Sequence, residues 1–312
     1  MTVNIGDDIL RLWRLGLLER LLADKSTGKN IMWATDAFSG HGHQYERNQE
    51  ITTPLITGDN ADVIKTRARK AMEQQSVRTR QRAEVFTPLW VVRKMNDYAD
   101  EMWFGYPDVF FKDGKPTEQV RFFENSHTWQ DYVDSRRLEI TCGEAPYLVS
   151  RYDVETGEAI PIKNRVGILD RKLRVINENA ETEEEWLKWC VRAFEATYGY
   201  EFQGDSLLIA RVNLLMTLED YMLDRWGRKP TKQENETISL RTIWNLWQMD
   251  GLTGKTPYKK SEIHDQLQFD EFVGKSNQIT EPIPCLIYDW RGRYKVKYSE
   301  LKKAKSEGRA ES

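Results

Sequence analysis

Apolar positions near the start of the chain recur on a helical spacing. Ile9, Leu10, Leu12, Trp13, Leu17, Leu21 and Leu22 alternate with Arg11, Arg14, Glu19 and Arg20, as in an amphipathic helix laid on a core. From Asn60 to Arg82 the sequence is polar and helix-compatible, and residues 101–131, which mix aromatic side chains with Gly, Pro and acids, read as an irregular insertion. Leu138 to Asp153 begins extended and apolar, turns at Gly143 and continues in a helix-like composition. Thr182 supplies an N-cap, Glu183, Glu184 and Glu185 an acidic first turn, and Trp186, Leu187, Trp189, Cys190 and Phe194 the apolar spacing of a helix running to Tyr198. A strand is expected at Tyr198 to Phe202, a second helix at Ser206 to Leu218, and a third around Arg241 to Trp244 after a connector holding Pro230 and Thr231. Gly251 to Asn277 is polar and Lys-rich, as in a long loop. Ile283 to Tyr288 is a compact apolar run that suits a buried strand, and the charged tail from Lys302 should fray.

Strand, helix, strand, helix in this order predicts an α/β fold with a mostly parallel sheet. The expected organisation is an N-terminal helical region with a basic segment at 1–82, an α/β domain at 83–300 and a charged tail at 301–312.

Composition narrows the function only by exclusion. The 312 residues are 39% hydrophobic, enough for a core, and carry a formal net charge of −3, so any contact with nucleic acid must come from a local patch. One such patch exists: between Lys65 and Arg82 there are seven Lys or Arg residues against the single acid Glu73. Lys65, Arg69 and Lys70 can share a helix face, while Arg78, Arg80 and Arg82 alternate as in an extended end. The cluster reads either as a solvated face or as a phosphate-contacting surface. Three cysteines without paired spacing exclude a disulfide framework and a zinc ribbon, and a reducing, cytoplasmic location is expected. Charges interrupt the Ile9 to Leu22 run too often for a membrane span, so no membrane association is expected. His41 and His43 suit a loop rather than a metal site, and His127 and Cys142 give no nucleophilic pair.

Two segments carry candidate chemistry. Phe86, Thr87 and Pro88 stand ahead of a helix expected from Leu89. Downstream, Glu139, Ile140, Thr141, Cys142, Gly143, Glu144, Ala145, Pro146, Tyr147 and Leu148 form a glycine turn behind a strand, where backbone can approach a ligand closely. In this order the two resemble the N6-adenine DNA methyltransferases of type I and fused type II restriction systems, which place an F/Y-T-P motif ahead of a glycine motif of the kind DPACGSGAFL. Cys142, Gly143 and Leu148 match it, Glu139 replaces its acid, and Ala145 replaces its second Gly. Ala adds a methyl group and disfavours positive φ, so the cofactor would be approached differently or more weakly.

The resemblance extends to Glu201, at the end of the next strand, and to Ala210, Arg211, Asn213 and Leu214, which follow the family's A-x-x-NL helix. It implies a Rossmann-like core binding S-adenosyl-L-methionine, with Phe86, Thr87, Pro88, Glu139, Cys142 and Gly143 around the cofactor. Glu201 would accept its ribose hydroxyls, the other reading being a surface acid. Asp250 stands where the family binds the cofactor's adenine amino group, or else makes a turn with Gly251.

The family holds its target base with D/N/S-PP-Y/F/W, whose polar groups accept the amine hydrogens while the aromatic ring stacks. None of the ten prolines here is followed by another. Thr256, Pro257 and Tyr258 are a shortened stand-in that follows Asp250 too closely. Asp289 and Trp290 emerge from the expected fourth strand and are the catalytic candidates, with Arg291 beside them for DNA. The other reading makes Trp290 a cap on the core and pairs Asp289 with Arg291 or Arg293. The resemblance implies a DNA adenine methyltransferase. Its rivals are a non-catalytic cofactor- or DNA-binding module and an enzyme with a different acceptor. Family enzymes take sequence specificity from a further domain or subunit, so a specificity or restriction subunit is an expected partner. Arg78, Arg80 and Arg82 are the expected DNA backbone contacts.

Overall fold

The computed structural model describes residues 2–70, 87–124, 126–257 and 282–301. Phe86, Arg78, Arg80 and Arg82 lie outside the described residues, as does Tyr258. The N-terminal apolar pattern resolves into two helices, α1 (Ile5–Arg14) and α2 (Leu18–Leu22), rather than one. They are separated at Gly16, whose φ of 68° leaves the helical region. Residues 60–70 do not continue as a helix face: Arg67–Arg69 makes a single 3-10 turn.

Pro88 directly precedes α3 (Leu89–Phe104), in keeping with a ring that fixes φ and lacks an N–H. The expected insertion holds a two-residue hairpin, β1 (Phe111–Lys112) with β2 (Lys115–Pro116), and a short helix, α4 (Trp129–Asp134). The chain then runs through β3 (Arg137–Glu139), α5 (Ile168–Asn179), α6 (Glu183–Glu195), β4 (Thr197–Glu201), α7 (Gly204–Trp226), α8 (Lys232–Asn245) and β5 (Leu246–Gln248). Thr182 caps α6 as its sequence signals, accepting from the Glu185 N–H at 3.2 Å.

β3, β4 and β5 form a parallel sheet in that order, Glu139 lying opposite Gly199 and Glu201 opposite Gln248. The molecule is thus a mixed α/β protein built on a three-stranded parallel sheet. On one face, Gly199 leaves room for Leu148 and Cys142, which a Cβ would meet at 3.2 and 3.3 Å. On the other, Tyr200 and Trp247 pack against Cys285, Ile287 and Tyr298. Those residues belong to an antiparallel hairpin and its flanks, β6 (Leu286–Asp289) with β7 (Tyr294–Lys297). The apolar run at 283–288 is therefore not a fourth strand of the parallel sheet. It pairs with a neighbour in sequence and covers the sheet's face.

α7 is buried along most of its length, because the sheet lies on one side and α1 and α2 on the other. Two of its buried polar side chains are held by several bonds each. Arg211 donates to the carbonyls of Leu21, Ala23 and Leu246, and Asn213 to the Glu144 carbonyl and the Tyr152 hydroxyl. Ile5, Ile9 and Leu12 join the same core cluster as Leu208 and Val212. Ion pairs fasten the region further: Arg11 to Glu219, and Arg151 to both Asp8 and Asp220.

The helix expected directly after the Gly143 turn is interrupted. Residues 145–149 make one helical turn, with the Val149 N–H bonded to the Ala145 carbonyl at 2.9 Å. The chain then makes an excursion and returns at α5. There the N–H groups of Ile168 and Leu169 bond to the carbonyls of Tyr147 and Leu148, at 2.7 and 2.8 Å. The single turn thus satisfies two N–H donors that a helix start otherwise leaves open. Gly167 permits this approach, since a Cβ there would lie 2.4 Å from the Leu148 carbonyl oxygen.

At the amino-terminal end of the sheet, the fully buried Lys172 of α5 donates to the carbonyls of Ser135 and Ala196, at 2.6 and 3.1 Å. Burial pushes its amine well below the usual lysine range. The two carbonyls take up two of the amine's N–H donors.

Candidate functional site

The carboxyl ends of the parallel strands open onto a cavity of about 1250 Å³. Of the residues singled out from sequence, Thr87, Glu139, Cys142, Gly143 and Glu201 line it together. Strand ends of this kind are where open α/β sheets bind ligands.

Glu201 ends β4 and is 9% exposed. Its Oε2 accepts the Gly143 N–H at 2.8 Å, and its Oε1 accepts the N–H groups of Phe202 and Gln203 at 2.8 and 3.0 Å. The carboxylate thereby holds the glycine turn against the start of α7. Glu139 ends β3, also 9% exposed, and its buried Oε2 has no hydrogen-bond partner among the described residues. Burial raises its pKa well above the usual range, and the Glu201 charge adds to the rise, while the N–H groups of Tyr147 and Leu148 oppose it. A buried, unpaired carboxyl oxygen in a cavity wall fits a cationic ligand group.

The turn between them is strained in an informative way. Thr141, Gly143 and Ala145 all have positive φ, at 50°, 56° and 65°. Ala145 does adopt the conformation that its side chain disfavours, so its replacement of glycine does not relax this part of the turn. The open space lies at Gly143, where a Cβ would meet nothing within 4 Å. Gly143→Ala should destabilise the fold by roughly 1–2 kcal/mol through left-handed strain. Ala145→Gly should stay within about 1 kcal/mol of neutral, because relief of similar strain is offset by chain entropy and a lost buried methyl. Urea unfolding of both variants measures the contrast, and a silent Gly143→Ala would refute it.

Glu144 stands in the turn where the resembling motif has Ser. It is buried, accepts the Arg67 N–H at 2.6 Å and the Tyr152 hydroxyl at 2.7 Å, and so ties the start of the basic segment to the turn. Burial raises its pKa, against the lowering effect of Lys70. Lys70 itself pairs with Asp205 in the first turn of α7, at 3.2 Å.

Other expected residues stand elsewhere. Pro88 caps α3 behind Thr87 and is not among the lining residues. Asp250 does not line the cavity either: its Oδ1 accepts the Leu252 N–H at 2.9 Å in a turn, and its backbone pairs with Lys255. The β5 end instead presents Gln248, whose amide grips both backbone groups of Met32 at 2.8 Å.

Asp289 and Trp290 do not join the cavity-lining group. Asp289 accepts the N–H groups of Arg291 and Gly292, closing the hairpin turn, and these bonds hold its carboxyl below the usual range. Trp290 donates to Asn245 at 2.7 Å and lies under the Arg241 guanidinium. Arg291 pairs with Asp134 at 2.5 Å. Asn245 immediately precedes β5 and Asp134 lies three residues before β3, so this group sits at the amino-terminal end of the sheet, across from the cavity. Trp290 packs at this end of the core, and the Arg291 guanidinium pairs with Asp134, while only its backbone N–H reaches Asp289.

Sequence reasoning missed several lining residues: Asp36, Arg47, Asn96, Phe202 and Gln203. Phe202 and Gln203 could have been read from their place directly after Glu201. Asp36 and Arg47 arrive through tertiary packing of a segment that carries no motif. His41 and His43 lie exposed in two short 3-10 turns, Ser39–His41 and His43–Tyr45, and no cluster suited to a metal ion occurs among the described residues. No helix among the described residues is long and apolar enough to cross a membrane. Comparison with protein-family models, with curated proteins and with solved structures gives no match.

Proposed function

We propose that the protein is an S-adenosyl-L-methionine-dependent methyltransferase acting on DNA, with adenine N6 as acceptor, built on one half of a Rossmann-like sheet. The observation that carries the reading is the convergence of Glu139, Gly143 and Glu201 at the carboxyl ends of adjacent parallel strands. The residues fit the cofactor: the unpaired oxygen of Glu139 suits its ammonium group, Glu201 its ribose hydroxyls, and the ring of Phe202 its adenine. When bound, the cofactor supplies a methyl group on a positively charged sulfur. The cavity exceeds the roughly 300–1,000 Å³ of ordinary small-molecule sites, which leaves room for a second reactant. DNA contact by the basic segment and a specificity or restriction subunit as partner belong to the same reading.

Calorimetry with S-adenosylmethionine and transfer of labelled methyl to mixed-sequence DNA test it. Binding is expected to release a proton from Glu139, because a cation beside it favours the ionised form of a carboxyl whose pKa burial has raised. Affinity should therefore rise with pH up to that elevated pKa and level off above it. Absence of both binding and transfer would remove the proposal. A second reading, a cofactor-binding subunit without turnover, is favoured by the distance of Asp289 and Trp290 from the cavity, and predicts binding with no transfer.

A further inference from the structure

A segment from the N-terminal region contributes Asp36 and Arg47 to the cavity lining. Ile31 to Ala34 is an apolar run that ends in Thr35, Asp36, Ala37 and Phe38, the same succession of apolar run, acid and aromatic ring that drew attention to Asp289 and Trp290. Unlike that pair, Asp36 lines the cavity.

The segment is fixed with unusual thoroughness. Gln248 bonds both backbone groups of Met32, and the Gly204 N–H at the start of α7 bonds the Trp33 carbonyl at 3.1 Å. Gly204 admits this contact because it has no side chain: a Cβ would sit 1.9 Å from the Met32 carbonyl oxygen. On the other edge, the N–H groups of Trp33 and Ala34 bond to the carbonyls of Gln49 and Arg47, at 3.0 and 2.9 Å. Trp33 is fully buried against Phe38, their rings 4.7 Å apart. Ala34 has a φ of 50°, a left-handed backbone at a non-glycine residue two positions before Asp36. Strain held by surrounding contacts in this way is characteristic of sites that aim a functional group. Asp36 is held within ion-pair distance of Arg47, 3.9 Å, and its side chain remains 56% exposed on the cavity side.

We propose that Asp36 is the acceptor-side catalytic residue. Its carboxylate accepts the hydrogens of a base's exocyclic amine and takes the proton that the nitrogen releases. The nitrogen–carbon bond forms as the sulfur–carbon bond of the sulfonium donor breaks. The bonding electron pair stays on sulfur, and the displaced proton passes to Asp36. A carboxylate suits the task because it only accepts hydrogen bonds, so it orients the amine with its lone pair away from the ring. Gln248 and Gly204 are positioning residues in this scheme. The assignment rests on the cavity being a methyl-donor site.

The experiment compares wild type with Asp36→Asn and Asp36→Ala in three measurements. The first is calorimetric affinity for S-adenosylmethionine. The second is anisotropy with a single-stranded deoxyadenosine oligonucleotide against one carrying purine, which lacks the amine. The third is methyl transfer. Wild type should prefer the amine-bearing strand by about tenfold, equivalent to roughly 1.4 kcal/mol. Both variants should lose that preference and about 100-fold or more in transfer, and bind S-adenosylmethionine within twofold of wild type, with unchanged urea midpoints. An amine preference that survives Asp36→Ala, or is missing in wild type, would overturn the role of Asp36. Failure of wild type to bind S-adenosylmethionine would overturn the methyltransferase reading itself.

Discussion

Replacing Arg171 by Met is expected to lower the unfolding free energy by about 3–5 kcal/mol, the usual cost of removing one member of a buried ion pair. Arg171 is 1% exposed on α5 and reaches two carboxylates of α3, Asp100 at 2.7 Å and Asp97 at 2.6 Å, and the Val166 carbonyl. Its guanidinium also stacks 5.0 Å from the Phe110 ring centre. Met fills much of the volume but leaves Asp100, itself 4% exposed, with only the Tyr132 hydroxyl and a long contact from Arg137. The effect should far exceed that of Arg228→Met. Arg228 pairs with Glu234 while one-third exposed, and such surface pairs contribute roughly 0–1 kcal/mol. Lys at position 171 should not rescue, since one ammonium cannot serve both carboxylates and the carbonyl in the same plane. Urea unfolding of the three variants decides the matter; a loss below about 1 kcal/mol for Arg171→Met would show that α3 and α5 are held by packing alone.

The second large effect is expected in binding. Glu201→Ala removes the acceptor of three backbone N–H groups, those of Gly143, Phe202 and Gln203. Each donor left unsatisfied costs roughly 1–3 kcal/mol unless water replaces the carboxylate. The glycine turn loses its tether to β4 and, on the proposed reading, the cofactor's ribose loses its acceptor, so affinity for S-adenosylmethionine should fall at least about 100-fold, or roughly 2.7 kcal/mol. Glu201→Gln should be nearly as damaging, because one of its two terminal groups is a donor facing donors. Calorimetry on folded variants reads this directly. Near-wild-type affinity in Glu201→Ala would place the cofactor elsewhere.

Elements with a cap and a period were legible in the sequence. Thr182 and the apolar spacing behind it located α6 to within a few residues, and β4 and α7 followed from the pattern after it. The interruption after Gly143 was not, because Pro146 to Asp153 has a helix-compatible composition. What diverts it is remote, the pairing of Arg151 with Asp8 and Asp220 and of Arg165 with Asp220. Ile283 to Tyr288 was correctly read as extended and wrongly placed, since an apolar run of that length looks the same in a central strand and in a hairpin that covers one. At the site, Glu139, Gly143 and Glu201 were reachable from motif order alone. Asp36 was not, because contacts remote in sequence hold its segment, among them the grip of Gln248 on Met32, 216 positions apart, and the Gly204 bond to Trp33.

The docking of α1 has a consequence for synthesis. Asp8 finds Arg151 143 positions later, and Arg11 finds Glu219 208 positions later. A chain emerging from the ribosome therefore exposes Ile9 and Leu12 until most of α7 has followed. Closing contacts of such separation comes late in folding and leaves apolar surface open meanwhile. The residues of α1 are thus made long before their partners and are among the last to find their place, and the cavity wall at Asp36 is completed with them.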